Sequence, residues 1–127
     1  MTSVRVAGVG LTHFGVHPER TTRDMFGEAG LTAIDDSGID PSRIESVFFG
    51  NFMGELGEHQ GHMGPLAAEA LGIEAPATRY ESACASSGVA VREAVKNVRN
   101  GEADVVLVGG AERMNNLPTA EATESLA

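Results

Sequence analysis

Two periods alternate along this chain. Four short apolar runs stand out: "VRVAGVG" (4–10), "SVFFGNF" (46–52), "ATRYES" (77–82) and "ADVVLVGG" (103–110). Runs of this length, mostly rich in valine or phenylalanine and closed by small residues, predict strands. Between them apolar residues recur every three or four positions, which predicts helices. The first helix begins at Thr21 or Thr22 as cap, with Asp24 in its first turn. Its apolar positions are Met25, Phe26, Ala29, Ala33 and Ile34, and Gly38 ends it. "HMGPLAAEALG" (62–72) predicts a second helix, with Pro65 in the first turn and Gly72 at the end. Ser86 to Asn100 predicts a third, whose apolar face is Val91, Ala94, Val95 and Val98 and whose stop is Gly101. "MGELGEHQGHMG" (53–64) reads as a glycine-rich loop, and "ATESLA" (122–127) as the opening turns of a helix.

Strand–helix alternation argues for an α/β class fold, layered, with a mostly parallel sheet. The runs 4–10 and 103–110 read as strands buried in that sheet. Four parallel strands leave an open edge, which domains normally cover or pair. The pattern therefore predicts part of a larger fold, or one half of an obligate assembly.

Composition narrows the partners. The 127 residues suffice for one modest core, and 42% are apolar. The net charge is −9, with a single lysine, Lys96, among nine basic residues. Such a balance repels nucleic acid and anionic membranes. No run approaches the roughly 18 apolar residues that span a bilayer. The opening "MTSVRVAGVG" has no leader-like apolar segment, and the one cysteine suits a reducing compartment, so a cytoplasmic protein is expected.

That cysteine is the main chemical candidate. Cys84 lies at a strand-to-helix turn, where free N–H groups and the positive end of the helix dipole favour a thiolate. Ala83, Ala85, Ser86, Ser87 and Gly88 leave room for a substrate carbonyl, and the Cys84 N–H can serve an oxyanion. The competing reading is an inert thiol filling a core. His59 or His62 is a candidate base, though both pairs, His13/His17 and His59/His62, equally suit solvated loops. Neither pair has a third ligand at metal-site spacing, so no metal is expected. "GVGLTHFG" lacks the third glycine of a dinucleotide fingerprint, with His13 in its place. "VGGAERMNN" leaves the last strand at its carboxyl end, as Cys84 leaves the one before, so the two segments are candidates for one pocket.

Taken in order, "VAGVGLTHFG", "FFGNFMGELGEHQGHMGPLAAEALG", "ESACASSG" and "VLVGGAERMNN" resemble the N-terminal part of thiolases. The similarity is to the sterol-carrier-protein-type and archaeal acetyl-CoA acetyltransferase branch. The resemblance implies residues 1–113 as the N-terminal core of the thiolase fold and 114–127 as the start of a loop region. It implies that Cys84 accepts an acyl group from acyl-CoA, with its own N–H in an oxyanion hole. Acetyl-CoA then supplies the second carbon unit, or the reverse reaction cleaves a 3-ketoacyl-CoA. Gly110 and Met114 are the candidate substrate contacts. Coenzyme A thioesters enter as substrates, and no resident cofactor is implied. The activating histidine and a second cysteine belong to the family's C-terminal half, needed in cis or in trans, so the 127 residues alone are expected to be inactive. "ATRYES" resembles a strand that pairs across a dimer axis, which implies a homo-oligomer. Some archaeal relatives work beside a zinc-ribbon/OB-fold protein and an HMG-CoA synthase. Two other readings compete: a β-ketoacyl synthase-type condensing enzyme, and a non-catalytic acyl-CoA-binding or scaffolding subunit.

Overall fold

The computed structural model describes residues 3–127. Helix α1 spans Thr22–Ser37, α2 Gly54–Glu58, α3 Met63–Leu71, α4 Ser86–Arg99 and α5 Thr119–Glu124; strands β1 (Ser46–Gly50), β2 (Ala77–Tyr80) and β3 (Val106–Gly110) form the sheet. All pairings are parallel, in the order β2-β1-β3.

Local chemistry explains the helices. Thr21 and Asp24 form a reciprocal capping box at the start of α1, and Gly38 ends it in the left-handed conformation. Gly72 ends α3 in the same way. The buried stripe of α1 is Thr22, Phe26, Gly27, Gly30 and Ile34. Two glycines in that stripe let α1 approach α3 closely, and a Cβ on Gly27 would sit 3.2 Å from Ala70 Cβ.

The central strand β1 is buried on both faces. Val47 and Phe49 join Phe26, Ile34, Met63, Ala67 and Leu71 in the larger core, under α1 and α3. Phe48 points the other way, onto Ala90 and Ala94 of α4. Phe26 and Phe49 meet edge to face at 4.6 Å. The crossovers account for the two layers. The chain steps one way from β1 to β2 and back past β1 to β3. Right-handed connections in opposite directions place their helices on opposite faces.

Several expectations are corrected. Residues 4–10 form no strand, and Val6 and Val9 are 84% and 67% exposed. This segment lies along α1, with Gly8 and Gly10 pressed onto the helix backbone at Ala33 and Ala29. Val9 N–H donates to Asp36 at 2.9 Å. The sheet of the described residues therefore has three strands. Between this segment and β3 runs a trough of about 400 Å³, walled by Val4, Val6, Val106 and Val108 and flanked by Ile34 on one side and Val95 on the other. With that place beside it open, β3 is only half-buried, where burial on both faces was expected. Val91 of α4 is likewise exposed, since it borders the trough instead of a core. Finally, the loop expected over 53–64 contains α2, and the C-terminal helix starts at Thr119, earlier than its apolar signal.

Candidate active site

The candidate site lies at the carboxyl ends of the three strands, where open parallel sheets collect ligands. The segments leaving β1 and β3 are tied together there. Asn51, fully buried, donates from Nδ2 to the carbonyl of Ala111 at 2.9 Å and accepts from the Gly54 N–H at 3.0 Å. The Glu112 carboxylate accepts from the N–H groups of Phe52 and Met53. Arg79, the third residue of β2, donates to the carbonyls of Asn51 and Phe52, both at 3.1 Å, and reaches Glu55 at 3.4 Å. Glu58 at the end of α2 accepts from the N–H and hydroxyl of Thr22 and faces Arg113 at 3.8 Å. These bonds satisfy backbone groups that a loop above a sheet leaves open.

Cys84 stands in a 3-10 turn, Ala83–Ala85, that runs directly into α4. Its side chain is exposed, so among the described residues it fills no core. The residue before it, Ala83, has φ 49°, in the region that alanine seldom enters. Ser86 is buried and bonds back across this turn. Ser87 lies against two strand-end glycines. A Cβ on Gly50 would come within 2.5 Å of Ser87 N, and one on Gly110 would collide with the Ser87 hydroxyl. Only glycine at these two positions lets α4 seat on the ends of β1 and β3.

The structure thus brings Gly110 to the start of the Cys84 helix. Met114 lies elsewhere in the loop, lining a separate pocket of about 180 Å³ with Gly15–Pro18, Met25 and Glu112–Asn116. His59 sits at the C-terminal end of α2 and His62 just before α3, and neither bonds to Cys84. His17 bonds to the carbonyl of His13 at 2.8 Å in an exposed loop. No group of three or more metal-ligating side chains occurs among the described residues. No helix there is long and apolar enough to cross a membrane. The sequence marks Ser86 only as a small neighbour of Cys84 and gives no sign of the tying roles of Asn51, Arg79 and Glu112, because each acts through bonds that exist only once the strand ends have converged.

The model of the thiolase N-terminal domain matches residues 4–127. The chain belongs to the thiolase family. Among curated relatives of this thiolase chain, the acetyl-CoA acetyltransferase of Methanocaldococcus jannaschii is 42% identical over 128 residues, covering 100% of the chain and 33% of the relative. The chain spans about a third of the length of such relatives. Solved structures show the same fold. An acetyl-CoA acetyltransferase from Syntrophomonas wolfei superposes with a TM-score of 0.64 at 20% identity, over 77% of this chain and 26% of that one. The priming β-ketosynthase of the R1128 polyketide pathway superposes at 0.69 with 27% identity, over 77% and 29%. The thiolase fold expected from the sequence therefore holds, with the three-stranded parallel sheet as its visible part.

Proposed function

We propose that this thiolase chain is the N-terminal portion of an acyl-CoA:acetyl-CoA C-acyltransferase, with Cys84 as the acyl-accepting nucleophile. The supporting observation is the exposed Cys84 in a turn that opens α4, above the carboxyl ends of a parallel sheet. The name of the archaeal relative supports coenzyme A thioesters as substrates.

The steps balance without a resident cofactor. The Cys84 thiolate attacks the thioester carbonyl, a new S–C bond forms, and coenzyme A leaves as its thiolate. A base removes a proton from the methyl of acetyl-CoA. The resulting carbanion attacks the acyl-Cys84 carbonyl, releasing 3-ketoacyl-CoA and the Cys84 thiolate. The Cys84 N–H contributes to holding the negative oxygen, since the Ala83 and Ala85 N–H groups already have acceptors. Gly110 keeps the adjoining strand end close to this turn, and Met114 is the candidate contact for the substrate beyond it. The base and the second proton carrier come from the C-terminal half of the thiolase fold, in cis or in trans. The trough beside β3 and the free outer edge of β2 support further polypeptide and a second copy as neighbours, in a cytoplasmic homo-oligomer. A zinc-ribbon/OB-fold protein and an HMG-CoA synthase are proposed companions by family analogy alone.

The superposition on a β-ketosynthase favours a second reading, a β-ketoacyl synthase-type condensing enzyme. The test completes the chain with its C-terminal half and offers acetyl-CoA, or acetyl groups on an acyl carrier protein, with acetoacetyl thioester as the readout. Turnover of acetyl-CoA that Cys84→Ala abolishes supports the thiolase reading. Turnover only with the carrier-bound acyl group transfers the chain to the second reading. Binding of acyl-CoA with no transfer to Cys84 leaves a scaffolding subunit.

A further inference from the structure

We propose that Ser86 is the positioning residue for Cys84, acting by holding Ala83 in the left-handed conformation. The inference rests on the acyl-cysteine reading above and names the device that aims the nucleophile. Two non-glycine residues among those described have positive φ, His59 and Ala83. His59 closes a helix, where that conformation is common. Ala83 opens a helical turn instead, and its methyl group offers no polar contact to stabilise it. Something outside the residue must hold it.

The Ala83 N–H donates to the exposed Glu81 carboxylate at 2.5 Å, and Ser86 is the buried group placed to hold the residue from both sides. Ser86 is 3% exposed and makes two hydrogen bonds across the turn. Its Oγ accepts from the Ser82 N–H at 2.9 Å and donates to the Ala83 carbonyl at 2.7 Å. One bond anchors the chain before Ala83 and the other anchors it after, so both dihedrals of Ala83 are bracketed. The Ala85 N–H closes the same turn onto the Ser82 carbonyl at 2.9 Å. Ser87, next in sequence, lies against the glycines that end β1 and β3, which fixes Ser86 relative to the sheet. Position therefore passes from the sheet to Ser87, to Ser86, to Ala83 and on to Cys84. Without the hydroxyl, Ala83 relaxes to negative φ and the Cys84 thiol leaves the place that the turn gives it.

The test compares acetyl transfer from acetyl-CoA to Cys84 in four proteins, each completed by the C-terminal half: wild type, Ser86→Ala, Ala83→Gly and the double variant. The single-turnover acylation rate is read at several pH values by intact-protein mass. Ser86→Ala is expected to slow acylation about tenfold. The double variant is expected to recover to within about threefold of Ala83→Gly, because glycine holds positive φ at no steric cost. Where Ser86→Ala alone does not fold, the comparison between Ala83→Gly and the double variant carries the test. A tenfold loss on that glycine background overturns the proposal, as does wild-type acylation by Ser86→Ala. Cys84→Ala separates the two claims. If it still takes up acetyl, the nucleophile assignment fails. If it does not, and Ser86→Ala acylates normally, only the positioning role fails.

Discussion

Gly50→Ala probes the seat of the helix that follows Cys84. Gly50 ends the central strand, held on one side by β2 and on the other by β3, so it has no freedom to withdraw. An added Cβ would meet Ser87 N and Cα at 2.5 Å and the carbonyl carbon of Ser86 at 2.8 Å. All three are backbone atoms, so no side-chain rotation relieves the clash. Ordinary contact begins near 3.4 Å, so the start of α4 must retreat by about 1 Å. Overpacking of this kind costs about 1–3 kcal/mol, and the upper end is expected because only backbone can give way. A displacement of about 1 Å at a reacting group can also cost about a hundredfold in rate. The control lies in the same helix: a Cβ on Gly88 meets nothing within 4 Å. Gly88→Ala should therefore stabilise by up to about 1 kcal/mol, the difference in helix propensity. Urea unfolding of both variants, with the alkylation rate of Cys84 measured beside it, checks the reasoning. Equal stability and equal Cys84 reactivity in Gly50→Ala and wild type would refute it.

Phe49→Ala removes a 1% exposed ring from the larger core and its edge-to-face partner Phe26, and should cost about 3–5 kcal/mol in urea unfolding. Asn51→Leu should cost about 2 kcal/mol or more, since the Gly54 N–H and the Ala111 carbonyl lose their partner; stability within 0.5 kcal/mol of wild type, roughly the size of a neutral surface change, would contradict the tie between the loops. The Thr21 N–H, then the Thr21 hydroxyl, hold the Asp24 carboxyl below its usual value. A depressed carboxylate stabilises the fold above its unfolded value and loses that contribution as pH falls through the folded one. Acid titration of unfolding should therefore show a smaller loss of stability for Asp24→Asn than for wild type, from a lower starting point at neutral pH. In hydrogen exchange, amides of residues 4–8 should exchange much faster than those of Val47–Gly50, because they pair with no strand; equal protection would place them back in the sheet.

Much of the fold was legible because its signals are local. Thr21, Asp24, Gly38 and Gly72 set helix ends through bonds within a few residues, and the spacing of apolar positions located α1, α3 and α4. The segment 4–10 carries a strand's pattern but no strand's partner, and pairing is not written in the pattern. Val91 is exposed for the same reason, since the face it shares with Val95 looks onto the trough beside β3. Helix α2 was hidden because five residues with two glycines have little propensity. It is held by Asn51 before it and by Thr22 of α1, which binds Glu58. At the candidate site, the turn around Cys84 was readable from small residues preceding an amphipathic helix. The left-handed Ala83 was not, because alanine does not announce it.

The most direct measurement is the mass of the Cys84 peptide after the completed protein meets acetyl-CoA, in the absence of any second substrate. One acetyl group is expected on that peptide, lost again when free coenzyme A is added in excess and absent in Cys84→Ala. No acetyl on Cys84, or acetyl that persists at another residue when Cys84 is replaced, would contradict it.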